Sequence, residues 1–144
     1  LTLIFIRSIL ACDSTVNSSS GLFIDTDSIQ TSEDGSQCYP FKSLNSAVAS
    51  VSASGGKLRV LRCSTLLTLD ATTIDKALEI EGNSCTMDVA GQVLIQASVT
   101  LRSLTLKSAV VDSCFVVEAS MALDLVVAEP SIKAIEDHPT RPKP

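Results

Sequence analysis

From Pro40 the apolar residues Phe41, Leu44, Ala47, Val48 and Val51 recur at the three- and four-residue intervals of a helix that buries one face. Pro40 suits a first turn and Gly55-Gly56 a stop, so the pattern predicts one amphipathic helix over residues 40–53. Downstream the rhythm changes. The apolar clusters become short and rich in Val, Ile, Leu and Thr: Lys57-Leu58-Arg59-Val60-Leu61, Ala77-Leu78-Glu79-Ile80, Val93-Leu94-Ile95, Val99-Thr100-Leu101, Leu104-Thr105-Leu106, Cys114-Phe115-Val116-Val117 and Met121-Ala122-Leu123. Such residues fit a pleated, half-buried surface and predict strands. Residues 13–37 form a Ser/Asp-rich lead-in with one candidate strand at Leu22-Phe23-Ile24. Residues 130–144 form a Pro-rich tail in which a short helix over 132–136 is the one element expected.

The strands repeat. Ile74-Asp75-Lys76-Ala77-Leu78-Glu79-Ile80 aligns with Ile95-Gln96-Ala97-Ser98-Val99-Thr100-Leu101, and again with Val117-Glu118-Ala119-Ser120-Met121-Ala122-Leu123, at steps of 21 and 22 residues. A strand period of this length without intervening helices points to a solenoid, in which one winding cannot bury its inward side chains but stacked windings can. The expected apolar columns are Ile74/Ile95/Val117, Leu78/Val99/Met121 and Ile80/Leu101/Leu123. The fold class expected is all-β, a solenoid of about three to four coils over residues 38–129, with the helix capping its first coil.

The period also organises the polar positions. Asp75, Gln96 and Glu118 fall in one outward file, and Glu81, Arg102 and Asp124 in another, with a cation between two carboxylates on rungs about 4.8 Å apart. We read the second file as a surface charge ladder. A glycosidase would set two carboxylates about 5 to 9.5 Å apart around a cleft, a distance Glu81 and Asp124 can meet, but Arg102 between them favours the ionised form of both and a general acid needs its proton.

With 11 Lys+Arg against 16 Asp+Glu the net charge is −5, which lacks the basic footprint of a nucleic-acid partner. The hydrophobic fraction of 45% is enough for a packed core, and no apolar run approaches the roughly 20 residues of a membrane-spanning helix. Residues 1–12 read as a remnant secretory signal or an apolar leader, with a buried strand as the other reading, and Ile9-Leu10-Ala11-Cys12 is similar to a lipoprotein cleavage box. Asn17-Ser18-Ser19 is a glycosylation sequon. The signal reading places the chain at the cell surface or outside the cell.

The five cysteines (Cys12, Cys38, Cys63, Cys85 and Cys114) are dispersed, with no C-x-x-C pair and only His138 as an imidazole. That argues against zinc and for one or two disulfides, with buried thiols as the alternative. Cys63 and Cys85 are 22 residues apart, one winding, so stacking brings their Cα atoms within the roughly 4.4 to 6.8 Å that a disulfide requires. Cys38, beside the helix, is the other candidate partner for Cys63.

In order along the chain, Asp34-Gly35, the segment Pro40-Phe41-Lys42-Ser43-Leu44-Asn45-Ser46-Ala47-Val48, Gly55-Gly56-Lys57, Leu58-Arg59-Val60-Leu61 and Ile80-Glu81-Gly82 resemble the opening of a right-handed parallel β-helix of the pectin-lyase-like superfamily. The resemblance covers residues 34–129 and implies a capping helix followed by stacked coils. It implies little about activity, since that scaffold carries lyases, hydrolases, esterases, adhesins and tailspikes. The signatures of its enzymes are missing from this sequence. Polygalacturonase-like members carry Asn-Thr-Asp, Asp-Asp and Gly-His-Gly; methylesterase-like members carry Gly-x-Tyr-x-Glu, where this chain has Leu61-Arg62-Cys63-Ser64-Thr65; lyase-like members carry a calcium-binding Asp cluster and Arg-x-Pro-x-x-Arg, which Arg141-Pro142-Lys143-Pro144 is not. No cofactor motif or nucleophile elbow occurs.

The expectation is therefore a non-catalytic module, structural or adhesive, with polysaccharide or a surface protein as partner and further coils beyond this sequence. The alternative is the N-terminal fragment of a polysaccharide-degrading enzyme whose active site lies elsewhere.

Overall fold

A computed structural model describes residues 21–108, 114–128 and 133–136. It is a parallel β-solenoid of about three turns with one short helix near its start. The elements are β1 (Leu22–Asp25), α1 (Leu44–Ser50), β2 (Gly56–Arg62), β3 (Leu67–Leu69), β4 (Thr72–Ile74), β5 (Leu78–Val89), β6 (Gln92–Ile95), β7 (Ser98–Lys107), β8 (Cys114–Val117), β9 (Ser120–Ala128) and β10 (Lys133–Glu136). Two parallel sheets run along the solenoid. One is ordered β1-β2-β5-β7-β9, with β3 also on β5; the other is ordered β10-β8-β6-β4.

Register follows from the 21- and 22-residue steps. Ile74 pairs with Ile95 and Ile95 with Val117; Leu78 with Val99 and Val99 with Met121; Ile80 with Leu101 and Leu101 with Leu123. In the middle windings these columns are dry, as Ile95, Val99 and Leu101 are buried along with Leu58, Ile80 and Phe115. Side chains alternate in and out along a strand, so a change of register by one residue would turn the aliphatic set to water.

The long strands bend in mid-course. Asn83 and Ser84 in β5, Ser103 in β7 and Leu125 in β9 all take positive φ, between 52° and 61°. The bend resets the alternation: Val99 and Leu101 face inward before it in β7, and Leu104 and Leu106 after it. Each long strand thereby supplies two walls of the tube. Packing at the bend is tight enough to specify a residue type, because a Cβ added to Gly82 would lie 2.0 Å from Leu104 Cδ2 and 2.9 Å from the Ser103 carbonyl oxygen.

The helix is shorter than the pattern predicts. It spans Leu44–Ser50, with Ser43 as N-cap, its Oγ accepting the Ser46 N–H at 3.1 Å. Pro40 and Phe41 lie outside it. Phe41 is extended: its N–H donates to the Phe23 carbonyl at 2.9 Å, and its carbonyl accepts the Asp25 N–H at 2.8 Å. It thereby continues the ladder past β1, while Leu44, Ala47 and Val51 carry the buried face. Capping is thus shared between a helix and an extended segment. Gly35 permits this, since at φ 84° its missing Cβ leaves room for the Phe41 ring, whose nearest atom would otherwise be at 2.7 Å.

Two boundaries move. Leu22, Phe23 and Ile24 form a strand, but β1 pairs with β2 (Leu22 with Leu58, Ile24 with Val60), so the solenoid sheet begins inside the lead-in. The helix expected over 132–136 is corrected within the described residues: Lys133–Glu136 form β10, which pairs in parallel with β8, Ala134 opposite Phe115 and Ile135 opposite Val116. A winding already under way offers a short segment a ready ladder, and four residues cannot repay helix nucleation.

Candidate functional site

Side chains on the outer face of the first wall come from alternate positions of β2, β5, β7 and β9. The register sets Lys57 opposite Glu79 and Arg59 opposite Glu81, then Glu81 opposite Arg102 and Arg102 opposite Asp124. Successive rungs therefore alternate in sign. Glu81, Arg102 and Asp124 share one file, but their contacts differ from those the file alone predicts. Arg102 Nε approaches Glu79 at 3.0 Å, on the diagonal, and Nη1 donates to Asp124 at 3.2 Å. Glu81 turns toward the rung below, 3.2 Å from Lys57 Nζ and 3.9 Å from Arg59 Nε. Two cations beneath Glu81 outcompete one above it. Lys57 also reaches Glu79 at 3.6 Å. These six groups are all part-exposed, so each pair contributes about 0–1 kcal/mol, and their joint effect is to fix the charge pattern of the wall.

The other file, Asp75, Gln96 and Glu118, lies at the exit of the second sheet. Gln96 Nε2 donates to Glu118 at 3.2 Å. One step on, the Ser120 hydroxyl meets that of Ser98 at 3.0 Å. Like or complementary residues thus stack at these two polar positions.

A cluster that the sequence does not announce sits where β1 and β2 end. Asp25 is buried, and its Oδ2 accepts from Arg62 Nε at 2.9 Å and Nη2 at 2.8 Å, while Oδ1 accepts the Asp27 N–H at 2.9 Å. Asp27 in turn accepts from the Ser64 N–H at 3.0 Å and from the Ser64 hydroxyl. The Ser64 hydroxyl and N–H, with the nearby Arg62 charge, hold the Asp27 carboxyl below its usual range, and the Asp25 carboxylate holds the Arg62 proton more tightly than usual. Asp25 and Arg62 are separated by the whole capping helix, so no repeat interval betrays them.

Cys63 and Cys85 form a disulfide, with Cα atoms 6.1 Å apart. Cys38 is disulfide-bonded too, which overturns Cys38 as the partner of Cys63. Cys114 opens β8. The leader over residues 1–12, including Cys12, the sequon at Asn17 and His138 lie outside the described residues.

Two open grooves flank the helix. One, of about 190 Å³, runs between α1 and β4 and is lined by Asn45, Val48, Val51, Asp75 and Lys76. Lys76 is committed there, its Nζ donating to the Val51 carbonyl at 2.6 Å, where a cation complements the end of the helix. The second, of about 310 Å³, is lined by Lys42, Ser43, Asn45, Thr65, Leu66 and Asp70; Asn45 accepts the Asp70 N–H at 3.1 Å across it. Among the described residues no cluster of three or more His, Cys, Asp or Glu is placed to hold a metal ion, and no helix is long and apolar enough to cross a membrane.

No protein-family model matches the chain, and neither a curated protein nor a solved structure matches it.

Proposed function

We propose that the chain is a non-catalytic β-helix module of a secreted or cell-surface protein, a rigid spacer or adhesive surface for protein or carbohydrate. The observation that carries this reading is the outer face of the first wall, where Lys57, Glu79, Glu81, Arg102 and Asp124 are matched to one another across rungs. Each of these carboxylates is engaged by a guanidinium or ammonium group of a neighbouring rung. A face whose charges satisfy one another is suited to hold a shape. The Cys63–Cys85 bond and the bonded Cys38 support an oxidising compartment. Kinship with the pectin-lyase-like superfamily belongs to the same proposal, supported by the parallel windings and the helix at the first coil.

Incubating the protein with polyuronides and neutral glycans, and displaying it on a glycan array, tests the reading. Binding without turnover, or binding to a protein surface alone, is the expected result. Depolymerisation of a polyuronide that is lost in a Glu81→Gln or Asp124→Asn variant would overturn it in favour of a polysaccharide-degrading enzyme.

A further inference from the structure

We propose that the groove of about 310 Å³ beside the helix binds a short neutral saccharide, a mono- or disaccharide unit, held by Lys42 and Asn45 on one wall and by Thr65, Thr68 and Asp70 on the other, with Leu66 against its apolar face. Small-ligand sites span roughly 300–1,000 Å³, so the ligand is at the small end of that range. The second wall is the corner that runs from β2 into β3, and three links fix it. They are the Cys63–Cys85 disulfide, Asp27 accepting the Ser64 N–H at 3.0 Å, and Asn45 Oδ1 accepting the Asp70 N–H at 3.1 Å across the groove. Within β3 the buried Leu67 and Leu69 leave Thr68 on the outward side. Leu66 is 44% exposed, so the same corner holds an aliphatic side chain at the surface. A wall fixed before a ligand arrives loses little further freedom on binding.

The polar groups that line the groove are unpaired. On the charged wall Lys57, Glu79, Glu81, Arg102 and Asp124 satisfy one another, but among the described residues neither the Lys42 ammonium nor the Asp70 carboxylate makes an ion pair, although both line this groove. The Thr65 and Thr68 hydroxyls have no hydrogen-bond partner among those residues, and Asn45, whose Oδ1 is committed to Asp70, keeps its Nδ2 donors. Ligand chemistry follows from that set. A polyanion would meet Asp70 and a polycation would meet Lys42, while a hydrocarbon would strip water from all five groups and replace none of their hydrogen bonds. Sugar hydroxyls both donate and accept, so one ligand can donate to Asp70, accept from Lys42 and Asn45, and lay its C–H face on Leu66. This deepens the non-catalytic reading by choosing carbohydrate as the ligand and giving it a place, and it rests on that reading.

The isotope-labelled full chain is titrated with cellobiose, lactose and mannobiose, and with digalacturonate and glycine as anionic and zwitterionic comparators, and amide shifts are followed by NMR. At least one neutral disaccharide should give saturable shifts centred on Asn45 and residues 65–70, which digalacturonate and glycine do not reproduce. Asp70→Asn should weaken that binding by about tenfold, the scale of a charge-assisted hydrogen bond, and Lys42→Met on the opposite wall should weaken it as well. Both positions are exposed, so the two variants should otherwise keep the spectrum of the folded chain. Arg102→Ala, on the charged wall, should leave the binding unchanged. No response to any of the three disaccharides, an equal response to digalacturonate, a response to glycine alone, or full affinity in either groove variant would overturn the proposal. Hydrolysis of a glycan with the groove shifts intact would sink the non-catalytic reading and leave this site standing, so the two failures are distinguishable.

Discussion

Cys63 and Cys85 stand one winding apart, 6.1 Å between Cα atoms, at the corner where the backbone ladder is interrupted. Pairing of β2 with β5 ends at Arg59 opposite Glu81 and resumes in β3 at Leu67 opposite Met87. The disulfide bridges that gap, helped by Asn83 Nδ2 donating to the Leu61 carbonyl at 3.1 Å. Closing a loop of this length in the unfolded chain is worth about 3 kcal/mol. The Cys63→Ala/Cys85→Ala double variant should therefore unfold at a lower denaturant midpoint by that free energy, measured by equilibrium urea denaturation.

Gly82 touches the next winding. Gly82→Ala sets a methyl against Leu104 and should cost about 1–3 kcal/mol, the range of overpacking. Leu104→Ala alone leaves a cavity and costs about 2–5 kcal/mol. Combined, the two should be markedly less than additive, because the second makes room for the first. A double-mutant cycle of denaturation free energies measures this.

Arg102→Ala should change stability by no more than about 1 kcal/mol, since its partners Glu79 and Asp124 are part-exposed. Arg102→Glu, which brings a third carboxylate between them, should cost more. Added salt should shrink the difference between the two variants. Thermal unfolding at low and high ionic strength reads both effects.

Asp27 makes acid destabilising. Its carboxyl lies below the ordinary value of 3.8 in the folded chain, so as pH falls through that value the unfolded chain takes up the proton first. The stabilisation is present above pH 3.8 and is lost as pH drops through the depressed folded value. Asp27→Asn should flatten the acid limb of the stability curve, recorded as denaturation midpoints against pH.

The columns were legible because the period is short and the inward residues are aliphatic in each winding; Leu78, Val99 and Met121 align without a gap. β3 and β4 were not, since Leu67-Thr68-Leu69 and Thr72-Thr73-Ile74 are three-residue segments too short to show an alternation. The mid-strand bends were also hidden. Of Asn83, Ser84, Ser103 and Leu125 only Asn favours positive φ by itself, so the turn is imposed by packing. Helix periodicity ran on through Phe41 because a ring at that position suits either a helix face or a strand rung. The register aligns Glu81, Arg102 and Asp124, but the interval does not give their contacts, because long side chains reach diagonally and Arg102 finds Glu79. Asp25 and Arg62 carry no interval that a repeat could reveal.

The central claim is that residues one winding apart are neighbours inside one tube. Methyl-labelled NMR tests it most directly. Nuclear Overhauser contacts should link Leu78 with Val99 and Val99 with Met121, along with Ile80 with Leu101 and Ile74 with Ile95. Contacts of Val99 and Leu101 confined to residues three and four positions away, with none to Leu78 or Ile80, would contradict the solenoid.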